Sequence, residues 1–110
     1  MSVEAAGGGR GMFVASGADI FKLESALSFA TVTQLRPLGL ALIAAARGRA
    51  LTFDLAAVTA VDSAGLALLI DWLAAARAGS CQLRYIQPAE TLRALARLSE
   101  VEPLLTGNAP

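Results

Sequence analysis

Asp54, Asp62 and Ser63 lie close together and carry the groups in this chain best suited to chemistry. Two carboxylates can divide the roles of general acid and general base. A serine beside an aspartate offers a hydroxyl for a phosphoryl group, which would add about −1.5 to −2 charges. Each residue also has a plain structural use. Asp62 or Ser63 can cap a helix, a contact worth about 1 kcal/mol. Asp54 can orient the loop over residues 56–62 by accepting backbone N–H bonds. Little else is available to join them. The 110 residues contain no histidine, which excludes a Ser-His-Asp or Cys-His centre and His-ligated zinc. Cys81 is the only cysteine, so it can form neither an internal disulfide nor a thiolate cage, and it reads as a small buried hydrophobe. Lys22, the only lysine, is not part of a GxxxxGK[ST] phosphate loop. The sequence therefore predicts no catalytic residue, no metal and no cofactor, with a reducing cytoplasm as the setting.

The elements that must position these groups can be read from periodicity. Residues 12–15 and 20–24, with Ser16-Gly17-Ala18-Asp19 between them, predict an N-terminal β-hairpin. After Ser28, Val32, Leu35, Leu38 and Leu42 recur at helical spacing, with Pro37 predicting a kink or a restart and Gly48 a left-handed close. Ala50 to Leu55 is the clearest strand and Ser63 to Ala78 the clearest helix, closed by Gly79. A strand at 81–86, a helix at 89–98 with Pro88 near its start, and a short helix at 103–105 complete the order β-β-α-β-α-β-α. Strands joined through helices pair in parallel. The expected fold is a small α/β domain over 12–106, its sheet mostly parallel with an N-terminal hairpin and its helices mainly on one face. A glycine-rich disordered tail over 1–11 and a flexible end over 107–110 flank it. Sites in such folds gather outside the carboxyl ends of the strands. There the N-terminus of helix 63–78 offers unpaired N–H groups and partial positive charge.

Nine basic and nine acidic residues cancel, so no net positive field attracts nucleic acid. Apolar residues make up 55% of the chain, yet the longest apolar stretches, 37–46 and 64–76 (the second interrupted by Asp71), fall short of the roughly 18 to 20 residues that span a bilayer. Direct membrane insertion is not expected, and the apolar surplus suggests a protein partner. On helix 63–78 one stripe, Leu66, Leu69, Ile70, Leu73 and Ala76, has the spacing of a core face. The other, Ala64, Leu68, Asp71, Trp72 and Ala75, carries one charge where a solvated helix would carry several. The bland reading leaves Trp72 half covered by the loop after Ser28 or by its own helix end. The preferred reading makes this second stripe a partner-binding surface anchored by Trp72 and Leu68. Arg93 and Arg97, one turn apart, read as a solvated face.

The run Val58-Thr59-Ala60-Val61-Asp62-Ser63-Ala64-Gly65-Leu66-Ala67-Leu68-Leu69 resembles the signature loop and helix of the STAS domain, and the likeness extends over about residues 12–105. In signalling members the serine after the aspartate is phosphorylated by an anti-sigma kinase, a role that maps to Ser63; the usual second serine is Ala64 here. The G-L-A-L-L run and the R-A-L-A-R-L helix are more similar to the STAS subunit of the Mla phospholipid-transport system. That resemblance implies a non-enzymatic subunit that binds and regulates a cytoplasmic ABC ATPase, held at the inner face of the membrane through its partner. The alternative is an anti-sigma-factor antagonist switched at Ser63, with an anti-sigma kinase as partner. A homodimer in isolation stays open under both.

Overall fold

A computed structural model describes residues 12–106; the tail expected over 1–11 and the flexible end over 107–110 lie outside the described residues. Strands Phe13–Gly17 (β1) and Ile20–Leu23 (β2) form the antiparallel hairpin, turning through Ala18 and Asp19. Helix Val32–Ala45 (α1) leads to strand Ala50–Asp54 (β3), and helix Ser63–Ala78 (α2) leads to strand Gln82–Ile86 (β4). Helices Glu90–Leu98 (α3) and Glu102–Thr106 (α4) follow. The sheet runs β1-β2-β3-β4, with β2, β3 and β4 parallel.

Register explains why the helices collect on one face. Paired residues point the same way: Phe13 with Leu23, Leu51 with Leu83, Phe53 with Tyr85. Phe13, Leu23, Leu51, Phe53 and Tyr85 are buried on that side. Val14, Lys22, Thr52, Asp54 and Arg84 point the other way, and none of them is buried. Tyr85 pins the layers together, its hydroxyl donating to the Leu69 carbonyl of α2 at 2.6 Å. Burial pushes its phenol well above the ordinary tyrosine range.

One local expectation shifts and another narrows. α1 starts at Val32, because residues 26–31 satisfy one another first: Thr31 Oγ1 accepts from the Ser28 N–H at 3.0 Å and donates to the Ala26 carbonyl at 2.7 Å. α1 also runs through Pro37 without a restart. Pro37 lies in the second turn, and the carbonyl deprived of its donor belongs to Thr33, an exposed residue whose carbonyl water can serve. Gly48 takes the left-handed conformation, φ 80°, as the spacing predicts.

The larger correction concerns α2. Trp72 is 0% exposed and Leu68 4%, so neither stands on an open flank. The core stripe is Gly65, Leu68, Leu69, Trp72 and Ala76, joined by Leu66, whereas Ile70 and Leu73 are only half-buried. α2 is covered on two sides, by the sheet and by α1. The indole packs edge-on against Phe53, ring centroids 5.5 Å apart, and tilted against Phe13 at 5.8 Å. Its N–H donates to the Arg36 carbonyl of α1 at 3.2 Å. Gly39 makes the fit possible, since a Cβ there would overlap the indole ring. The charges missing from this stripe reflect burial within the domain.

Candidate functional site

The described residues bring two loops together at the start of α2. Leu27, between β2 and α1, pairs with Val61 in an isolated parallel bridge. The Leu27 N–H donates to the Ala60 carbonyl at 2.9 Å, and the Asp62 N–H donates to the Leu27 carbonyl at 3.0 Å. Gly65 permits this approach, because a Cβ on it would overlap the Leu27 carbonyl. The glycine of the D-S-x-G-L run is thus a packing requirement of the junction.

Asp62 holds the junction with both carboxylate oxygens. Oδ1 accepts from the Gly65 N–H at 3.1 Å and caps α2. Oδ2 accepts from the Phe29 N–H at 3.0 Å, tying down the turn before α1. These backbone bonds, that from Phe29 first, hold its carboxyl below the usual aspartate range. Asp54 does parallel work upstream, its Oδ1 accepting from the Ala56 N–H at 2.9 Å as the chain leaves β3. Both carboxylates are therefore engaged in positioning backbone, which argues against an acid–base pair.

Ser63, the first residue of α2, is exposed, and its hydroxyl has no hydrogen bond to a described residue. Phe29, whose N–H is bonded to the adjacent Asp62, is 81% exposed. Periodicity does not mark Phe29. Its signal was an aromatic residue in the short polar turn Ser28-Phe29-Ala30-Thr31, too brief to bury it locally. Of the other sequence-named residues, Ala64 and Ala75 are half-buried, and Asp71 is spent on Arg36, its Oδ2 2.8 Å from Nε in an exposed α1–α2 ion pair. The structure thus brings Asp62, Ser63 and Ala64 together with Phe29 and leaves Asp71 and Ala75 along the helix.

The depressed acidity of Asp62 has a consequence for stability. Its folded pKa lies below the unfolded one, so its contribution is complete above the unfolded value and fades as pH falls toward the folded one. Asp19, bonded by Arg49, and Glu90, bonded by Arg97, act in the same direction. Wild-type melting temperature should fall on acidification below about pH 5. Asp62→Asn can still cap α2 but cannot accept from both backbone donors as a carboxylate does. Its melting temperature should fall less steeply over that range, and a slope equal to wild type would refute the assignment.

The family profile described as "Mlab, STAS domain" matches residues 14–106. Among curated proteins none matches. A solved structure described as an anti-sigma-factor antagonist (STAS) domain protein from Planctomyces limnophilus superposes with a TM-score of 0.71. It is 13% identical, with 86% of each chain covered, a likeness of fold.

Proposed function

The chain belongs to the STAS domain family, and from that membership we propose a protein-interaction subunit that docks on and regulates the cytoplasmic ATPase of a Mla-type phospholipid-transporting ABC system. The contact is the surface formed by Phe29, Ser63 and the exposed start of α2. The observation that carries this reading is Phe29, an aromatic side chain left almost wholly in solvent while its backbone is bonded to Asp62. An isolated exposed hydrophobe needs no explanation. One held at the junction that also presents the signature serine is suited to anchor a partner, because buried aromatic anchors contribute heavily to binding. The description of the matched family profile, Mlab, favours the transporter ATPase as that partner.

The experiment is affinity capture from native cytoplasm, followed by titration of the captured ATPase. Phe29→Asp should weaken binding by about 30-fold, the loss of one anchor worth about 2 kcal/mol, and alter ATP turnover in the mixture. Its melting temperature should stay near wild type, because an exposed substitution costs within about 0.5 kcal/mol. Unchanged affinity and turnover in both Phe29→Asp and Ser63→Glu would refute the proposal. A second reading, an anti-sigma-factor antagonist switched by phosphorylation, draws support from the exposed Ser63 hydroxyl and its lack of a partner among the described residues. Capture of a kinase in place of the ATPase, with phosphate found on Ser63, would decide for it.

A further inference from the structure

We infer that the groove between the C-terminal half of α2, β4 and α4 is a second docking surface, shaped and charged for an amphipathic helix of a partner protein with acidic residues beside its apolar stripe. The groove is open to solvent, has a volume of about 880 Å³ and does not include Ser63 in its lining. Ile70 and Leu73 of α2, Leu83 of β4 and Leu104 of α4 supply its large apolar lining. All four keep part of their surface in solvent, and Leu104 is 39% exposed. Among the described residues β4 is the edge strand of the sheet, and no further strand closes that side.

Charge selects the occupant. Arg77 lies in the groove lining and forms no ion pair with a described carboxylate. The acidic residues of the flanking helices are already engaged: Asp71 with Arg36 at 2.8 Å, and Glu102 with Arg97 at 3.4 Å and Arg93 at 3.6 Å. Across α2 lies a smaller hollow of about 260 Å³, lined by Leu40, Ile43, Ala75 and a second arginine without such an ion pair, Arg47. An unmatched cation beside each apolar hollow calls for carboxylates on the occupant. A second copy presenting the same patch offers Arg77 only carboxylates that are already paired, Asp71 and Glu102. A bilayer needs several apolar groups that project, whereas Ile70, Leu73 and Leu83 are half-buried and Leu104 alone stands out. A small ligand in so open a groove would keep much of its surface wet, short of the 70 to 90% or more that ligand pockets typically bury. The apolar stripe of a helix fits these limits.

The test is selection of a displayed library of helical peptides on the intact chain. Selected peptides should carry apolar residues at i, i+3 or i+4 and i+7, flanked by Asp or Glu. Arg77→Glu should weaken them at least tenfold, while Arg84→Glu, the same charge change on the bare sheet face, changes affinity less than twofold. Amide shifts on binding should centre on Leu73, Ala74 and Leu104. Selected peptides without an acidic bias, equal affinity for Arg77→Glu, shifts centred on Phe29 and Ser63, or no binder at all would overturn the inference. Arg77-dependent binding to phosphatidylglycerol vesicles, or an Arg77-sensitive dimer in sedimentation, would overturn it in favour of a membrane or a second copy. None of these results bears on ATPase binding at Phe29, which is measured separately.

Discussion

Trp72→Ala should cost about 3 to 5 kcal/mol, the range for truncating a fully buried large aromatic side chain. The substitution removes ring contacts with Phe13 and Phe53 and the N–H bond to the Arg36 carbonyl, and it opens a cavity over Gly39. Total stability for a domain of this size is about 5 to 15 kcal/mol, so the variant would lose a large part of it. At about 4 to 8 °C per kcal/mol, the melting temperature should drop by at least about 12 °C. Trp72→Phe keeps a ring but loses the donor, and should cost nearer 1 to 2 kcal/mol. Because Trp72 is the only tryptophan, wild-type fluorescence reports the site directly. Its emission should be blue-shifted and shielded from iodide until the chain unfolds. A Trp72→Ala variant that melts within 2 °C of wild type would contradict the packing described. Partner binding alone could not test this residue, since any loss would follow from loss of the fold.

The contrast between Trp72 and Phe29 shows which parts of the molecule periodicity can reveal. Strand alternation at Leu51 and Phe53, and the bounds of α2 between Asp62 and Gly79, depend on local pattern and turn chemistry, so they are legible without coordinates. Helical spacing also shows that α2 has two apolar stripes. It does not say which one faces α1. That choice depends on Gly39, 33 positions before Trp72, whose missing Cβ leaves room for the indole. In a chain that is 55% apolar, absence of charge on a stripe does not separate an interface from a second buried side. Phe29 escapes periodicity for the converse reason. Its position is set by an Asp62 bond spanning 33 residues, and an isolated aromatic in a turn has no periodicity to mark it. The ion pair between Arg36 and Asp71 was hidden in the same way, by the unknown rotation of two packed helices.

The site itself was legible as a motif, though the use of its glycine was not, and substitution there gives a test by sign. In an exposed helix, Gly→Ala stabilises by about 0.5 to 1 kcal/mol, because alanine loses less backbone entropy. At Gly65 the added Cβ meets the Leu27 carbonyl, a backbone atom that no rotamer change can move. Relief requires α2 to retreat from the segment carrying Leu27. That motion would stretch the bond from the Asp62 N–H to the Leu27 carbonyl and weaken the bridge between Leu27 and Val61. Gly65→Ala should therefore destabilise, by about 2 to 3 kcal/mol, at the upper end for overpacking because backbone must move. Gly79→Ala, with only ordinary contacts around the new Cβ and φ at −97°, should change stability by less than about 1 kcal/mol. The two variants should also differ in hydrogen exchange. Gly65→Ala should expose the Leu27 and Asp62 amides and release the Phe29 amide from its carboxylate, while those amides stay protected in Gly79→Ala. If docking runs through Phe29 as proposed, Gly65→Ala, which disturbs the Asp62 bond that holds its backbone, should weaken capture of that partner even at temperatures where the chain remains folded. A Gly65→Ala protein as stable as wild type or more so, with those amides still protected, would show that the junction does not depend on close backbone approach.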